Sequence, residues 1–92
     1  MAALSTAEIT DGLKALPEWR LENGALARSF SFSDFREAMS FVNAVADLAE
    51  RAGHHPDIDI RYNKVMLALS SHDAGGITNR DFSLAAAIGQ VL

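Results

Sequence analysis

Ninety-two residues make one small domain, with no room for a second core. A hydrophobic fraction of 49% and a charged fraction of 22% place the chain among ordinary globular proteins. A formal charge of −4 with scattered Lys and Arg argues against nucleic acid as a partner, and the absence of cysteine excludes disulfides and thiolate metal ligands. No stretch approaches the roughly 20 apolar residues of a membrane span. Met1-Ala2-Ala3-Leu4 lacks the basic start and apolar run of a signal peptide, so the expected setting is the cytoplasm. A core this small is only modestly stabilising, which makes an oligomer unsurprising.

Ser5-Thr6-Ala7-Glu8 has the form of a capping box, and Ile9, Leu13 and Leu16 recur at helical spacing until Pro17. This predicts a short first helix. Trp19, Leu21, Leu26, Phe30 and Phe32 mostly alternate about Asn23-Gly24, a pair suited to a type I′ turn, which predicts a β-hairpin near residues 18–32. Ser33-Asp34 opens the longest helix. Its apolar stripe of Phe35, Ala38, Met39, Val42, Val45, Ala46 and Ala49 reads as core, and Gly53 ends it.

A second hairpin follows, with Ile58, Ile60 and Tyr62 alternating against Val65, Leu67 and Leu69 about an expected Asn63-Lys64 turn. Gly75-Gly76 breaks the chain; lacking a phosphate-loop pattern, it reads as a turn rather than an anion site. Thr78-Asn79-Arg80-Asp81 opens a last helix carrying Phe82, Leu84, Ala85, Ile88 and Val91. The order helix, hairpin, helix, hairpin, helix predicts a single α+β domain over residues 1–92, a mainly antiparallel sheet with helices on one face.

The chemistry concentrates in His54, His55 and His72, which are all the histidine present. Histidine titrates nearest neutrality, so a cluster of it can exchange protons at ordinary pH. An Asn63-Lys64 turn sets Tyr62 opposite Val65 and Ile60 opposite Leu67, and the same register carries His55 to His72. Pro56 cannot donate to the ladder, so pairing frays there. Glu50, four residues before His54, could fix an imidazole tautomer. Plainer readings stand beside this one. Two histidines at a helix end can be a solvated terminus, and Asp81 can simply complete a cap as the fourth residue of Thr78-x-x-Asp81. A three-histidine zinc site is a further alternative that spacing does not separate from an acid–base pair.

Glu50-x-x-x-His54-His55-Pro56, then Tyr62, His72 and Asp81, resemble the signature of the pterin-4a-carbinolamine dehydratases. Tyr62-Asn63-Lys64-Val65, Ser70-Ser71-His72 and Ile77-Thr78-x-x-Asp81 are similar to the family as well, while Ile58 stands where some members carry an aromatic residue. The resemblance implies a two-layer fold, a four-stranded antiparallel sheet with three helices on one face, assembled as a homodimer or homotetramer. It implies dehydration of a 4a-hydroxytetrahydropterin to a quinonoid dihydropterin, which recycles the cofactor of aromatic amino-acid hydroxylases and needs no metal or redox cofactor. It implies His54 and His72 as proton-transfer groups and His55 as the group that binds the substrate hydroxyl. Glu50 and Asp81 are implied in support, with main-chain groups around Pro56, Ser71 and Asp73 against the pterin ring. Animal relatives also act as dimerisation cofactors of a homeodomain transcription factor. A protein-binding coregulator module of the same fold is therefore the alternative.

Overall fold

The computed structural model describes residues 2–92. Its elements are α1 (Thr6–Leu13), β1 (Arg20–Glu22), β2 (Ala25–Ser31), α2 (Phe35–Ala52), β3 (Asp57–Arg61), β4 (Lys64–Leu69) and α3 (Asn79–Gly89). Both hairpins and all three helices lie where the periodicity predicts them. The strands form one antiparallel sheet in the order β1-β2-β4-β3.

Local chemistry sets the boundaries. Ser5 and Glu8 close the expected capping box on α1, with Ser5 N–H to Glu8 Oε1 at 2.8 Å and Glu8 N–H to Ser5 Oγ at 3.1 Å. The helix stops at Leu13, one turn short of the apolar spacing. Lys14, Ala15 and Leu16 continue in tighter i→i−3 bonds, since Pro17 disfavours helical backbone at the residue before it. Leu16 still packs on the core. Asn23 (φ 51°) and Gly24 (φ 77°) make the tight β1–β2 turn. Asp34 caps α2 by accepting the Glu37 N–H at 2.8 Å.

The β3–β4 turn differs from expectation. It is Tyr62-Asn63 rather than Asn63-Lys64, so Arg61 faces Lys64, Ile60 faces Val65 and Ile58 faces Leu67. Two contacts hold Asn63 in the turn: its Nδ2 donates to Phe32 O at 2.8 Å, and its carbonyl accepts the Phe32 N–H at 2.9 Å. Tyr62 takes the left-handed backbone this requires (φ 55°). The register moves by two residues, an even step, so every side chain keeps its face. Pairing now ends at Asp57↔Ala68, and His55 is not set opposite His72 by the ladder.

Leu26 and Phe30 of β2 and Val65, Leu67 and Leu69 of β4 point to the helix side, where Ala38, Val45, Leu84, Ala85 and Ile88 meet them. Trp19 packs edge-on against Phe30, with ring centroids 6.3 Å apart. Gly12 marks the close approach of α1 and α3, because a Cβ there would lie 2.8 Å from the Phe82 ring. The opposite sheet face carries Ser29, Ser31, Asp59, Arg61 and Lys64, all exposed, as an antiparallel sheet with one wet face should. Val91, expected on the last helix, lies beyond its end and is exposed. Leu67→Ala, at the fully buried centre of the sheet, is expected to cost about 2–5 kcal/mol in urea unfolding. Gly53→Ala is expected to cost about 1–2 kcal/mol through its left-handed backbone; no loss there would show that the reversal tolerates a side chain.

Candidate active site

Gly53 builds the helix end that delivers the first histidines. Its left-handed backbone (φ 61°, ψ 31°) lets its own N–H reach Glu50 O at 3.3 Å and the His54 N–H reach Ala49 O at 3.1 Å, the two bonds of a Schellman turn. The turn sends His54 inward, where it is 8% exposed, and leaves His55 outside. The other wall comes from the segment after β4. Ser71 and Gly76 bridge to each other, with Ser71 N–H to Gly76 O at 2.8 Å. Between them runs a single 3₁₀ turn, His72–Ala74, closed by Gly75 at φ 74°. Helix α3 starts just beyond the bridge.

The three histidines, Gly53, Ser70, Asp73 and Arg80 line an open cavity of 360 Å³. Three larger grooves, 570 Å³ beside the start of α2, 510 Å³ between α1 and α3 and 470 Å³ between α2 and α3, are lined chiefly by apolar surface. The histidines thus converge without being cross-strand neighbours. Pro56 and Ser71 do not line the cavity; Ser71 lies buried behind it.

Each histidine has a different environment. His54 Nε2 lies 2.5 Å from Asp81 Oδ1, and both side chains are almost wholly buried. Asp81 Oδ2 also accepts the Ser71 hydroxyl and the Thr78 N–H, each at 2.9 Å. Ser71 Oγ lies 2.8 Å from Thr78 Oγ1, which accepts the Arg80 N–H at 3.2 Å. Asp81 therefore both completes the α3 capping box and holds His54. His55 is exposed and bonds Glu50 Oε2 through Nε2 at 2.5 Å, so the acid expected beside His54 serves its neighbour instead. His72 is exposed, with no hydrogen-bonded side-chain partner among the described residues. Among those residues, no three His, Asp or Glu side chains are arranged to hold a metal ion.

Arg80, in the first turn of α3, also lines the cavity. Its guanidinium donates to Asp73 Oδ1 at 2.6 Å, and this bond holds the Asp73 carboxyl below the usual carboxylate range. A signal was present: a cation in the first turn of a helix opposes the macrodipole and so calls for another partner. The Ser71 hydroxyl is not legible as a side-chain contributor because its partners, Thr78 and Asp81, lie beyond the turn that follows β4. Arg80→Gln is expected to return the Asp73 titration, followed by NMR, upward to the ordinary range. An unchanged midpoint would remove the ion pair as its cause.

Residues 2–91 match the family described as Pterin 4 alpha carbinolamine dehydratase. A chain from Chloroflexus aurantiacus named "Putative pterin-4-alpha-carbinolamine dehydratase" is 56% identical over 92 residues, covering 100% of this chain and 99% of its own length. One of the same name from Acidobacterium capsulatum is 58% identical over the whole of both chains. Among solved structures, a "transcriptional coactivator/pterin dehydratase" from Brucella melitensis superposes with a TM-score of 0.92 at 33% identity, covering 97% of each chain. A "pterin dehydratase-like protein", described as a RuBisCO assembly factor in the alpha-carboxysome, gives 0.68 at 25% identity, covering 80% of this chain and 88% of its own. The fold, the converging histidines and the match across nearly the whole chain agree: this chain belongs to the pterin 4 alpha carbinolamine dehydratase family.

Proposed function

We propose that the chain removes water from a 4a-hydroxytetrahydropterin by histidine general acid–base catalysis, giving a quinonoid dihydropterin. The observation that carries this reading is the meeting of His54, His55 and His72 in one cavity, with His54 anchored to a buried carboxylate. The reaction needs two proton movements and no electron transfer. A base takes the proton from ring nitrogen N5, the freed electron pair forms the C4a=N5 bond, and the C4a–O bond breaks as an acid protonates the leaving hydroxyl. Imidazoles in opposite protonation states can do both.

His54 and His72 are assigned to proton transfer and His55 to the substrate hydroxyl. Glu50 orients His55, and Asp81 orients His54. Main-chain groups near Pro56 and Asp73 meet the pterin ring. Ser71 acts differently, since its N–H and carbonyl are already engaged with Gly76 and Ala74. The activity would serve cofactor recycling for an aromatic amino-acid hydroxylase in the cytoplasm; among the described residues no helix is long and apolar enough to cross a membrane. Two or four copies would assemble, a reading supported by the small core and by edge strand β3, whose Ile58 is 39% exposed.

A binding role is the second reading, supported by the coactivator and assembly-factor descriptions of the Brucella and carboxysome structures. It requires neither His54 nor His72. Dehydration of a 4a-hydroxypterin generated in situ, followed by absorbance, separates the two. His72→Ala is expected to lower turnover about 10²–10⁴-fold while leaving thermal unfolding in place. Wild-type turnover no faster than the uncatalysed reaction would sink the dehydratase reading, and equal rates would remove His72 from the mechanism. Light scattering is expected to give the mass of a dimer or tetramer; a monomer mass would overturn the assembly.

A further inference from the structure

We propose that Ser71 is a positioning residue: the hydrogen-bond chain Thr78–Ser71–Asp81 holds His54 as the Nε2–H tautomer and leaves Nδ1 as its working atom. The inference rests on the dehydratase reading for its consequence but on geometry alone for its content.

The order of hydrogens along the chain follows from counting them. Asp81 is 0% exposed, and a carboxylate can only accept. Three groups converge on it: His54 Nε2 at Oδ1, and two donors, the Thr78 N–H and the Ser71 hydroxyl, at Oδ2. Ser71 has one hydroxyl proton, and it goes to Asp81. The 2.8 Å contact between Ser71 Oγ and Thr78 Oγ1 must then be made by the Thr78 proton. Thr78 Oγ1 is in turn left free to accept the Arg80 N–H, as observed. Every hydrogen points toward Asp81, so Nε2 of His54 carries one of them.

Nδ1 is the remaining ring nitrogen. Among the described residues it has no hydrogen-bond partner, yet it is not one of the enclosed, unpartnered side-chain atoms, which among those residues are Trp19 Nε1 and Arg80 Nε. It therefore keeps access to its surroundings, and His54 lines both the histidine cavity and the groove between α2 and α3. In the neutral ring Nδ1 holds a lone pair and can take the N5 proton. The resulting imidazolium keeps its Nε2–H on Asp81. The acid that protonates the departing hydroxyl is then another imidazole, and His72 is the nearest in sequence to this chain.

Ser71 also does more than a helix cap requires. The cap is complete with Thr78 and Asp81. Ser71 comes from the other wall, is bridged to Gly76, and immediately precedes His72. One side chain thus ties the carboxylate that orients His54 to the turn that carries His72.

The test is ¹H–¹⁵N correlation NMR of histidine-labelled protein, at a pH where the rings are neutral, with kcat and KM measured on the same samples. Wild type is expected to show His54 protonated at Nε2, with an unprotonated Nδ1. Ser71→Ala is expected to blur that signature and lower kcat roughly 10–100-fold, by analogy with outer partners that orient metal-bound histidines, with KM little changed. Ser71→Thr, which keeps the hydroxyl, is expected to restore both. A His54 protonated at Nδ1 in wild type overturns the proposal without need of any variant. A Ser71→Ala protein with an unaltered spectrum and kcat overturns it equally. Wild type with the Nε2–H signature but no turnover would overturn the reaction while upholding the chain.

Discussion

A single buried carboxylate, Asp81, constrains the functional end of this protein. An ionised group shut away from water is tolerable only when donors replace its hydration. Asp81 has three, drawn from three segments of chain: the helix start it caps, the segment after β4 and the turn after α2. Removing one would leave the others converging on an under-satisfied charge, which is why the arrangement acts as a unit. The same carboxylate that starts α3 therefore fixes where His54 and the Ser71 hydroxyl lie. Cap and site support are one structure here.

The histidines are presented in graded exposure, and the grading has a backbone cause. The Schellman turn at Gly53 reverses the chain within two residues, so neighbours in sequence diverge in space. His54 goes inward to a carboxylate that water does not reach, while His55 stays outside on the exposed Glu50. A pair held in low dielectric is oriented firmly, whereas an exposed pair is screened and loosely held. One rigid imidazole beside two accessible ones suits a site in which a substrate must enter, exchange protons and leave.

The sheet contributes the platform rather than the contacts. β2 and β4 lie at its centre and bury Leu26, Leu67 and Leu69 completely. β3 sits at an edge with Ile58 of its inner face exposed, and its ladder ends before the histidines begin. The site therefore lies beyond the last hydrogen-bonded pair, on loops anchored at both ends by regular structure. Such loops can carry unpaired polar groups that a strand interior could not.

Much of this was legible in the residues. The caps at Ser5, Asp34 and Thr78, the Asn23-Gly24 turn and the glycine stop at Gly53 are local signals, and each acts where it stands. The three histidines and Asp81 were visible as chemistry, and their spacing resembled the family to which the chain belongs. The β3–β4 turn was placed one residue late because the contact that decides it, Asn63 with Phe32, spans 31 positions. Glu50 was set beside His54 by helical spacing, but Gly53 ends the helix before that spacing can operate. Composition and local periodicity determined the elements and their order, because those depend on neighbours along the chain, although Phe35 and Ala46, read as core on α2, are exposed. Which carboxylate meets which histidine, that the Ser71 side chain bonds Asp81, and that Arg80 lines the cavity were decided only by tertiary structure. Those contacts form between segments that folding brings together, and no local preference records them.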